Sequence, residues 1–455
     1  MKVYLETMGC QMNALDSELV ASMLRSGGFE LTADDRAADA LLYNTCSVRQ
    51  HAEDKVHSRL GWACRRKADG KAILIGVLGC MAQRLGDQLL KRHRGLDVVC
   101  GPGQLAHLPE MIRQAAEAAQ LRLDGDRGAP ADLDALETLD RQRPAADPSR
   151  LPGQAYLRIM RGCDKFCTYC VVPYVRGREI SRAPDAIVEE ARRLADAGVT
   201  QITLLGQTVN SYRFAAGETA VGLADLLCRL DGIAGLRRLR FITSYPAGFD
   251  RAILEAMRDL PSVCEYLHIP AQSGSDAVLA AMGRRYSRAE YDALIDEAHG
   301  LVPGIAVAGD FIVGFPGETE EDHRTSADLI RRSGYKNSFI FKYSPRPGTR
   351  ADDRLADDVP DDVKRRRNHE LLAVQEEVSL AANRDMVGGT FEVLVEGPSV
   401  RSRKQPAPAP EGHVQLTGRT RTDHIVVFPG PPDLAGQYVD VIITRATALA
   451  LTGET

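Results

Sequence analysis

Three apolar runs near the start of the chain each lead straight into a cysteine. They are Val3-Tyr4-Leu5-Glu6-Thr7-Met8-Gly9-Cys10, Leu41-Leu42-Tyr43-Asn44-Thr45-Cys46 and Ile73-Leu74-Ile75-Gly76-Val77-Leu78-Gly79-Cys80. Strands are predicted at Lys2–Thr7, Ala40–Asn44 and Lys71–Leu78. Helical periodicity separates them, at Asp16–Ser26, ended by Gly27-Gly28, and at His51–Arg66. Strands that are apolar throughout and alternate with helices imply a parallel sheet covered on its faces. In an open sheet of this kind, ligands bind beyond the carboxyl ends of the strands. Three adjacent strands then deliver Cys10, Cys46 and Cys80 to one edge. A single cysteine there would read as a buried structural thiol. Three at equivalent strand ends point to a cluster held by three thiolates. Cys64, Cys100, Cys228 and Cys264 lack this context and are read as core thiols.

A second trio, Cys163, Cys167 and Cys170, has the spacing C-x3-C-x2-C with no fourth cysteine close behind. Clusters of the 4Fe–4S type are usually held by four thiolates, so three leave one iron without a protein ligand. A metal with a vacant position is where a small molecule can bind and react. A structural zinc site would need a fourth ligand. The nearest candidates, Cys264 and His268, lie far along the chain.

The 455 residues allow two to four domains, and a hydrophobic content of 44% is enough for large cores. No apolar run reaches the length of a membrane helix, and the first residues lack a signal-peptide core. Ten cysteines without a secretion signal imply metal or catalytic use in a reducing cytosol, hence a cytoplasmic location. A net charge of −5 means that any nucleic-acid contact must come from a local surface.

Four segments are expected. Residues 1–117 form an open parallel α/β domain, and residues 118–153 a surface linker rich in Asp, Arg, Ala and Pro, with a short helix at 132–139. Residues 154–385 repeat strand and helix. Their strands fall at Ala155–Ile159, Gln201–Leu205, Leu239–Thr243, Tyr266–Ile269, Ala306–Val313 and Ser338–Lys342. Six βα units make a partial α/β barrel, whose reactive edge is the carboxyl ends of its strands. Residues 386–455 read as short strands at Thr390–Glu396, Gly412–Thr420, His424–Phe428 and Gln437–Arg445, a small antiparallel β-barrel. The proline-rich loop Ser402–Glu411 has no pattern of its own.

The cysteine triplet resembles the cluster motif of radical S-adenosylmethionine (SAM) enzymes. The wider set of motifs resembles their methylthiotransferase family. It comprises Gly9-Cys10-Gln11-Met12-Asn13, Asn44-Thr45-Cys46-Ser47-Val48-Arg49, Gly79-Cys80-Met81-Ala82-Gln83, the stretch Val171–Glu179 and Leu205-Gly206-Gln207-Thr208-Val209-Asn210-Ser211-Tyr212. It continues through His268–Ser275, Gly309–Thr319 and Tyr343–Thr349, so that nearly the whole chain is covered. The last barrel is similar to the family's RNA-binding TRAM module. Within the family, the stretches Val171–Arg178 and Gln207–Tyr212 favour the branch acting on N6-isopentenyladenosine in tRNA. The other branches act on threonylcarbamoyl-adenosine in tRNA or on a ribosomal protein side chain. Two departures are Met8, where the family usually has tyrosine, and the proline-rich insertion of the last barrel.

The resemblance implies two 4Fe–4S clusters, one on each cysteine trio, and SAM bound at the second. It implies transfer of a methylthio group to carbon 2 of an adenosine at position 37, in a tRNA anticodon loop. An external electron donor is implied as well. Gln207, Asn210 and Ser273, just past strand ends, and the turn Gly314-Phe315-Pro316 are expected to contact SAM or substrate. His268 is equally compatible with a pocket donor and a core histidine. Phe166 and Tyr169 fit core packing, cover for the cluster or an adenine pocket. Lys364–Arg367, Arg346, Arg350, Arg419 and Arg421 are candidates for RNA phosphates, with a solvated helix face the simpler reading of Lys364–Arg367. A reading from another class is a non-catalytic, metal-containing RNA-binding protein.

Overall fold

The computed structural model describes all residues except 48–49, 118–122, 125–131, 146, 148–149, 218, 401 and 403–411. Val48 and Arg49 of the second cysteine motif, and nearly all of the loop 402–411, lie outside the described residues.

The chain begins with β1 (Lys2–Met8), α1 (Gln11–Ser26), β2 (Glu30–Thr32), β3 (Ala40–Thr45), α2 (Gln50–Ala68), β4 (Leu74–Gly79), α3 (Cys80–Arg92), β5 (Val98–Cys100), α4 (Leu108–Glu117) and β6 (Leu123–Asp124). The six strands form one parallel sheet in the order β2-β1-β3-β4-β5-β6. Every residue of β3 and β4 is buried, as expected of strands covered on both faces. α1 starts at Gln11, earlier than its apolar period suggested, because the polar residues of its first turn are buried in a network described below.

A helix α5 (Leu133–Gln142) follows, capped by the Asp132 carboxylate, which accepts from Ala135 N at 2.9 Å. Its Leu136 and Leu139 enter the core of the first sheet, and Glu137 binds Arg182 of the next domain at 2.7 Å. A surface linker would do neither. Leu-x-x-Leu spacing on one helix face explains the packing.

The central domain contains β7 (Gln154–Arg158), β8 (Met160–Arg161), α6 (Val172–Arg176), β9 (Ile180–Ser181), α7 (Pro184–Asp196), β10 (Gln201–Leu205), β11 (Arg213–Ala216), β12 (Thr219–Gly222), α8 (Leu223–Asp231), β13 (Arg238–Phe241), α9 (Arg251–Asp259), β14 (Tyr266–His268), α10 (Asp276–Ala281), α11 (Arg288–Leu301), β15 (Ala306–Val313), α12 (Glu320–Ser333), β16 (Asn337–Lys342), α13 (Arg350–Arg354) and α14 (Asp361–Arg384). β7, β10 and β13 form one parallel set and β14, β15 and β16 another. A parallel bridge from Leu239 to Val263 joins them into a six-stranded partial barrel. The hairpin β8–β9 frames the cysteine triplet. Cys228 departs from its expected core role. It is exposed, because the buried face of α8 is Leu223, Leu226, Leu227 and Leu230.

The last domain is a closed barrel of β17 (Thr390–Pro398), β18 (Val414–Arg419), β19 (Ile425–Gly430), β20 (Tyr438–Ala446) and β21 (Leu451–Glu454). The strand β21 was not foreseen. It pairs parallel to β19, so the barrel is not wholly antiparallel. It docks on the central domain through ions. Asp423 meets Lys336 at 3.2 Å and also Arg240 of the central domain, while Arg238 reaches Glu392 at 2.9 Å. No helix among the described residues is long and apolar enough to cross a membrane.

Candidate functional site

Strand register sets the first trio. Thr45 lies opposite both Met8 and Gly79, so β1, β3 and β4 end level. Cys10 immediately precedes α1, Cys46 follows β3, and Cys80 opens α3. A buried amide network fixes the edge. Asn13 Oδ1 accepts from the Cys10 amide and lies 3.3 Å from its sulfur, while Asn13 Nδ2 donates to Asn44 Oδ1 at 3.1 Å and to the Thr45 carbonyl at 3.2 Å. Asn44 Nδ2 returns a bond to the Asn13 carbonyl at 2.9 Å. The Cys46 side chain hydrogen-bonds Cys10 and, outweighing the effect of burial, brings the Cys10 thiol down to about 6; Arg176 and the first amides of α1 act in the same direction. Burial pushes the Cys80 thiol up, against the pull of Arg176.

The triplet lies in the loop between β8 and α6. The Cys163 amide donates to the Gly177 carbonyl at 3.1 Å. Cys163 Sγ is 3.4 Å from Thr208 Oγ1, and Arg284 Nη1 donates to Cys167 Sγ at 3.6 Å. Arg284 is itself held by the Pro270 carbonyl at 2.8 Å and the Tyr286 hydroxyl at 3.0 Å. Cys163 and Cys167 are buried and Cys170 half-buried. Burial and then the neighbouring Cys167 push the Cys170 thiol up to about 12. Phe166 has φ of +50°, uncommon for a non-glycine residue and a form of strain that gathers at functional sites. Its ring packs edge-on against Tyr174 at 6.0 Å, and Tyr169 packs edge-on against Phe315 at 6.4 Å.

One short helix ties the two trios together. α6 begins two residues after Cys170, and Val171 and Val175 pack on Cys80. Arg176, its last residue, donates through Nε to Cys80 Sγ at 3.2 Å and through Nη2 to Asp16 Oδ2 at 2.7 Å. Asp16 also receives Arg158 of β7 at 2.6 Å. Among the described residues no three Cys, His, Asp or Glu side chains converge on a single ion. Two sets of soft thiolate donors, each one short of four ligands, fit iron–sulfur cages. Each trio is thiolate-only, enclosed, and faced by a guanidinium that can offset its negative charge.

The other expected contacts divide. Gln207 lies just past β10, and its Oε1 is buried without a hydrogen-bond partner. Asn210 binds the Tyr245 carbonyl at 2.8 Å and the Tyr245 amide at 2.7 Å, which locks two strand-end loops together. Ser273 is buried, and its hydroxyl accepts from the Ser275 amide at 3.2 Å. The Gly314 amide donates to Glu318 Oε2 at 2.7 Å, and a Cβ at Gly314 would meet Lys364 Cγ at 2.3 Å. Phe315 is fully buried beneath Tyr343 and Tyr169, and Pro316 is buried beside it.

Most of the proposed phosphate contacts are engaged within the protein. Lys364 is buried and pairs with Asp357 at 2.5 Å, Arg367 with Glu318 at 2.8 Å, and Arg366 with Glu320 at 2.6 Å. Arg346 reaches Gln50 and lies 3.8 Å from Glu53. Arg419 pairs within the last barrel with Glu396 at 3.2 Å and Asp423 at 3.0 Å, and Arg421 is a docking contact with Glu265 at 2.8 Å. Arg350 and Arg365 are exposed. The helix α14 packs on α12 and β16, which is why half of this basic run is inside.

Sequence reasoning missed Asn13, Arg176, Thr208 and Arg284 as neighbours of the sulfurs. Asn13 stands one helical turn from Cys10 and could have been found by that spacing. Nothing local marks Arg284, which is far from Cys167 in the chain.

Comparison with known proteins agrees with this architecture. Residues 2–101 match the family described as Uncharacterized protein family UPF0004, residues 157–330 the Radical SAM superfamily, and residues 384–455 the TRAM domain. A tRNA-2-methylthio-N(6)-dimethylallyladenosine synthase of Rhodopirellula baltica is 48% identical over 461 residues, spanning 99% of this chain and 95% of its own. Relatives of the same name from Bacteroides thetaiotaomicron and Xanthomonas axonopodis pv. citri are 41% and 42% identical over the full chain, covering 96% and 91% of their own lengths. Among solved structures, the radical S-adenosylmethionine methyltransferase TsrM of Kitasatospora setae shares the fold, with TM-score 0.53, 15% identity and 77% of each chain covered. Fold and site thus define a radical SAM protein carrying a TRAM barrel. More narrowly, the chain belongs to the family of the tRNA-2-methylthio-N(6)-dimethylallyladenosine synthases.

Proposed function

We propose that this chain is a tRNA methylthiotransferase. It replaces the hydrogen on carbon 2 of N6-isopentenyladenosine, at position 37 beside the anticodon, with a methylthio group. Two SAM molecules and a sulfur held at the first cysteine trio are consumed. The reading is carried by the Arg176 contact to Cys80, which ties one trio to the segment bearing the other. The names of the full-length relatives support the substrate.

Cys163, Cys167 and Cys170 would hold one 4Fe–4S cluster with SAM, and Cys10, Cys46 and Cys80 a second. When bound, these groups supply one-electron cleavage of SAM and a transferable sulfur, hard chemistry that side chains cannot perform. The protein's part is positioning and exclusion. Arg176 and Arg284 set positive charge beside Cys80 and Cys167. Asn13 fixes the Cys10 turn, and Asn210 holds the loops after β10 and β13 in register. Gln207 retains an unused amide oxygen for a cofactor or substrate donor. Ser273 and the Gly314-Phe315-Pro316 turn shape the same rim. Burial of the thiols keeps water from reactive species.

Residues 1–117 serve the sulfur site, 154–385 the SAM site and 386–455 the RNA, with 118–153 joining the first two. An unpaired anticodon-loop base costs little to extrude and exposes its edges. An external electron donor completes the cycle. Anaerobic reconstitution followed by turnover on an isopentenylated anticodon stem-loop tests the reading. About eight irons per chain and methylthiolated product are expected. Zinc in place of iron would defeat it, as would intact methylthio-adenosine in tRNA from a deletion strain.

A further inference from the structure

The segment that bears the triplet leaves and re-enters the barrel between two pairs of arginines. Arg158, at the end of β7, and Arg161, on β8, precede Cys163. Arg176, which closes α6, and Arg182, just past β9, follow Cys170. All four turn to two carboxylates that do not belong to the barrel. Asp16, on α1 of the first domain, accepts from Arg158 Nη2 at 2.6 Å and from Arg176 Nη2 at 2.7 Å. Asp140, on α5, accepts from Arg161 Nη2 and lies 3.7 Å from Arg158 and 3.8 Å from Arg182. Each carboxylate therefore spans the loop, with partners on both sides of the triplet.

These pairs are inside the protein. Asp16 and Asp140 are each 1% exposed. Burial opposes ionisation of both carboxyls, and the arginines overcome it, Arg176 and Arg158 at Asp16, and Arg158, Arg161 and Arg182 at Asp140, so that both stay below the usual carboxylate range. A buried ion pair adds little net stability, because desolvation offsets attraction, yet breaking one strands a charge. Its best use is to select one arrangement over its neighbours. Here a slide of the loop against α1 or α5 would strand guanidiniums. Buried Arg158 has Nε and Nη1 without hydrogen-bond partners, so its hydrogen bonding rests on Asp16. The covalent path between the domains, from Asp124 to Gln154, is too long to fix their spacing.

We propose that Asp16 and Asp140 are positioning residues that set the separation of the two cysteine trios, each by gripping both feet of the triplet loop. They touch neither trio and act through the four arginines. The assignment rests on the function proposed above, which needs the two sites to meet over one base. It also gives α5 a task, since that helix carries the second grip.

The test uses the reconstituted full chain with Asp140→Asn and Asp16→Asn, which keep the side-chain shape and remove the charge. Asp97→Asn, which takes a carboxylate from Lys67 within the first domain, is the control. In Asp140→Asn, Glu137 still binds Arg182 and the Leu136 carbonyl still binds Arg161, so that variant retains its fold. Iron content, the magnetic interaction between the two reduced clusters in electron paramagnetic resonance, and the 5′-deoxyadenosine formed per methylthiolated product are measured. Both grip variants should keep about eight irons per chain. Their magnetic interaction should weaken. The product ratio should rise by on the order of tenfold, since a misplacement of about 1 Å can cost on the order of a hundredfold in rate. Asp97→Asn should match the wild type. Wild-type interaction and ratio in both grip variants overturn the proposal. So does loss of iron from the triplet, because the carboxylates would then build the loop rather than place it. An equal change in Asp97→Asn, a general effect of lost stability, overturns it too. Should the wild-type chain form no methylthiolated product while the magnetic interaction still depends on Asp16 and Asp140, the placement stands and the reaction falls.

Discussion

The loop that presents Cys163 can be tested with two glycines of positive φ. Gly162 and Gly177 have φ of +69° and +76° and lie inside the hairpin that frames the triplet. An alanine at either position takes on a backbone conformation that side chains rarely adopt, at about 1–3 kcal/mol. Around Gly177 nothing lies within 4 Å of an added Cβ. At Gly162 that atom would stand 1.8 Å from the Arg178 carbonyl oxygen, where real contacts start near 3.0 Å, so the backbone must retreat by about 1.2 Å. Overpacking of this kind costs about 1–3 kcal/mol. The Cys163 amide bond to Gly177, worth about 1 kcal/mol, is strained at the same time. Gly162→Ala therefore costs about 3–7 kcal/mol against about 1–3 for Gly177→Ala, and its damage falls on the residue that presents the first ligand. Anaerobic reconstitution and iron analysis read the difference. Gly177→Ala should retain about eight irons per chain, and Gly162→Ala about four. Equal iron in the two variants would refute the argument that the triplet depends on this close approach.

Arg176→Met removes the donor on Cys80 while Asp16 keeps Arg158, so a loss of about 1.5–3 kcal/mol is expected, together with a more negative potential for the first-domain cluster. Redox titration followed by electron paramagnetic resonance checks it, and an unmoved potential counts against a tuning role. Asp423→Ala strips the carboxylate from buried Arg240 and Lys336, a loss of about 3–5 kcal/mol at the docking surface. Limited proteolysis should then release the last barrel, and wild-type resistance would contradict this. His93 is held down to about 4, first by burial and then by His57, whose ring nitrogen is 3.0 Å away. The folded state then binds fewer protons than the unfolded one between pH 4 and about 6.5. The stabilisation is complete above about pH 6.5 and is lost as pH falls toward 4, on the order of 1 kcal/mol once solvent screening of this partly exposed pair is allowed for. Acid unfolding of His93→Gln should lack that limb.

Local patterns carried much of the architecture into the sequence. β3 and β4 are apolar at nearly every position because both faces are covered, and β15 was read to its last residue. The two cysteine trios were legible because strand ends and tight spacing are local properties. The start of α1 was not, since Asn13, Asp16 and Ser17 are polar residues buried in a network whose partners are on β3 and in the central domain. β21 escaped because Leu-Thr-Gly-Glu has little pattern until the barrel closes around it. The basic residues misled for the same reason. Charge is visible in the chain, but the carboxylates that neutralise Arg367 and Arg421 come from distant segments.

The five residues of α6 act as a ruler between two inorganic sites. One added or deleted residue between Cys170 and Arg176 would rotate the guanidinium by about a quarter turn of helix and take it off its sulfur. Related chains should therefore keep the count from the third cysteine to this arginine unchanged.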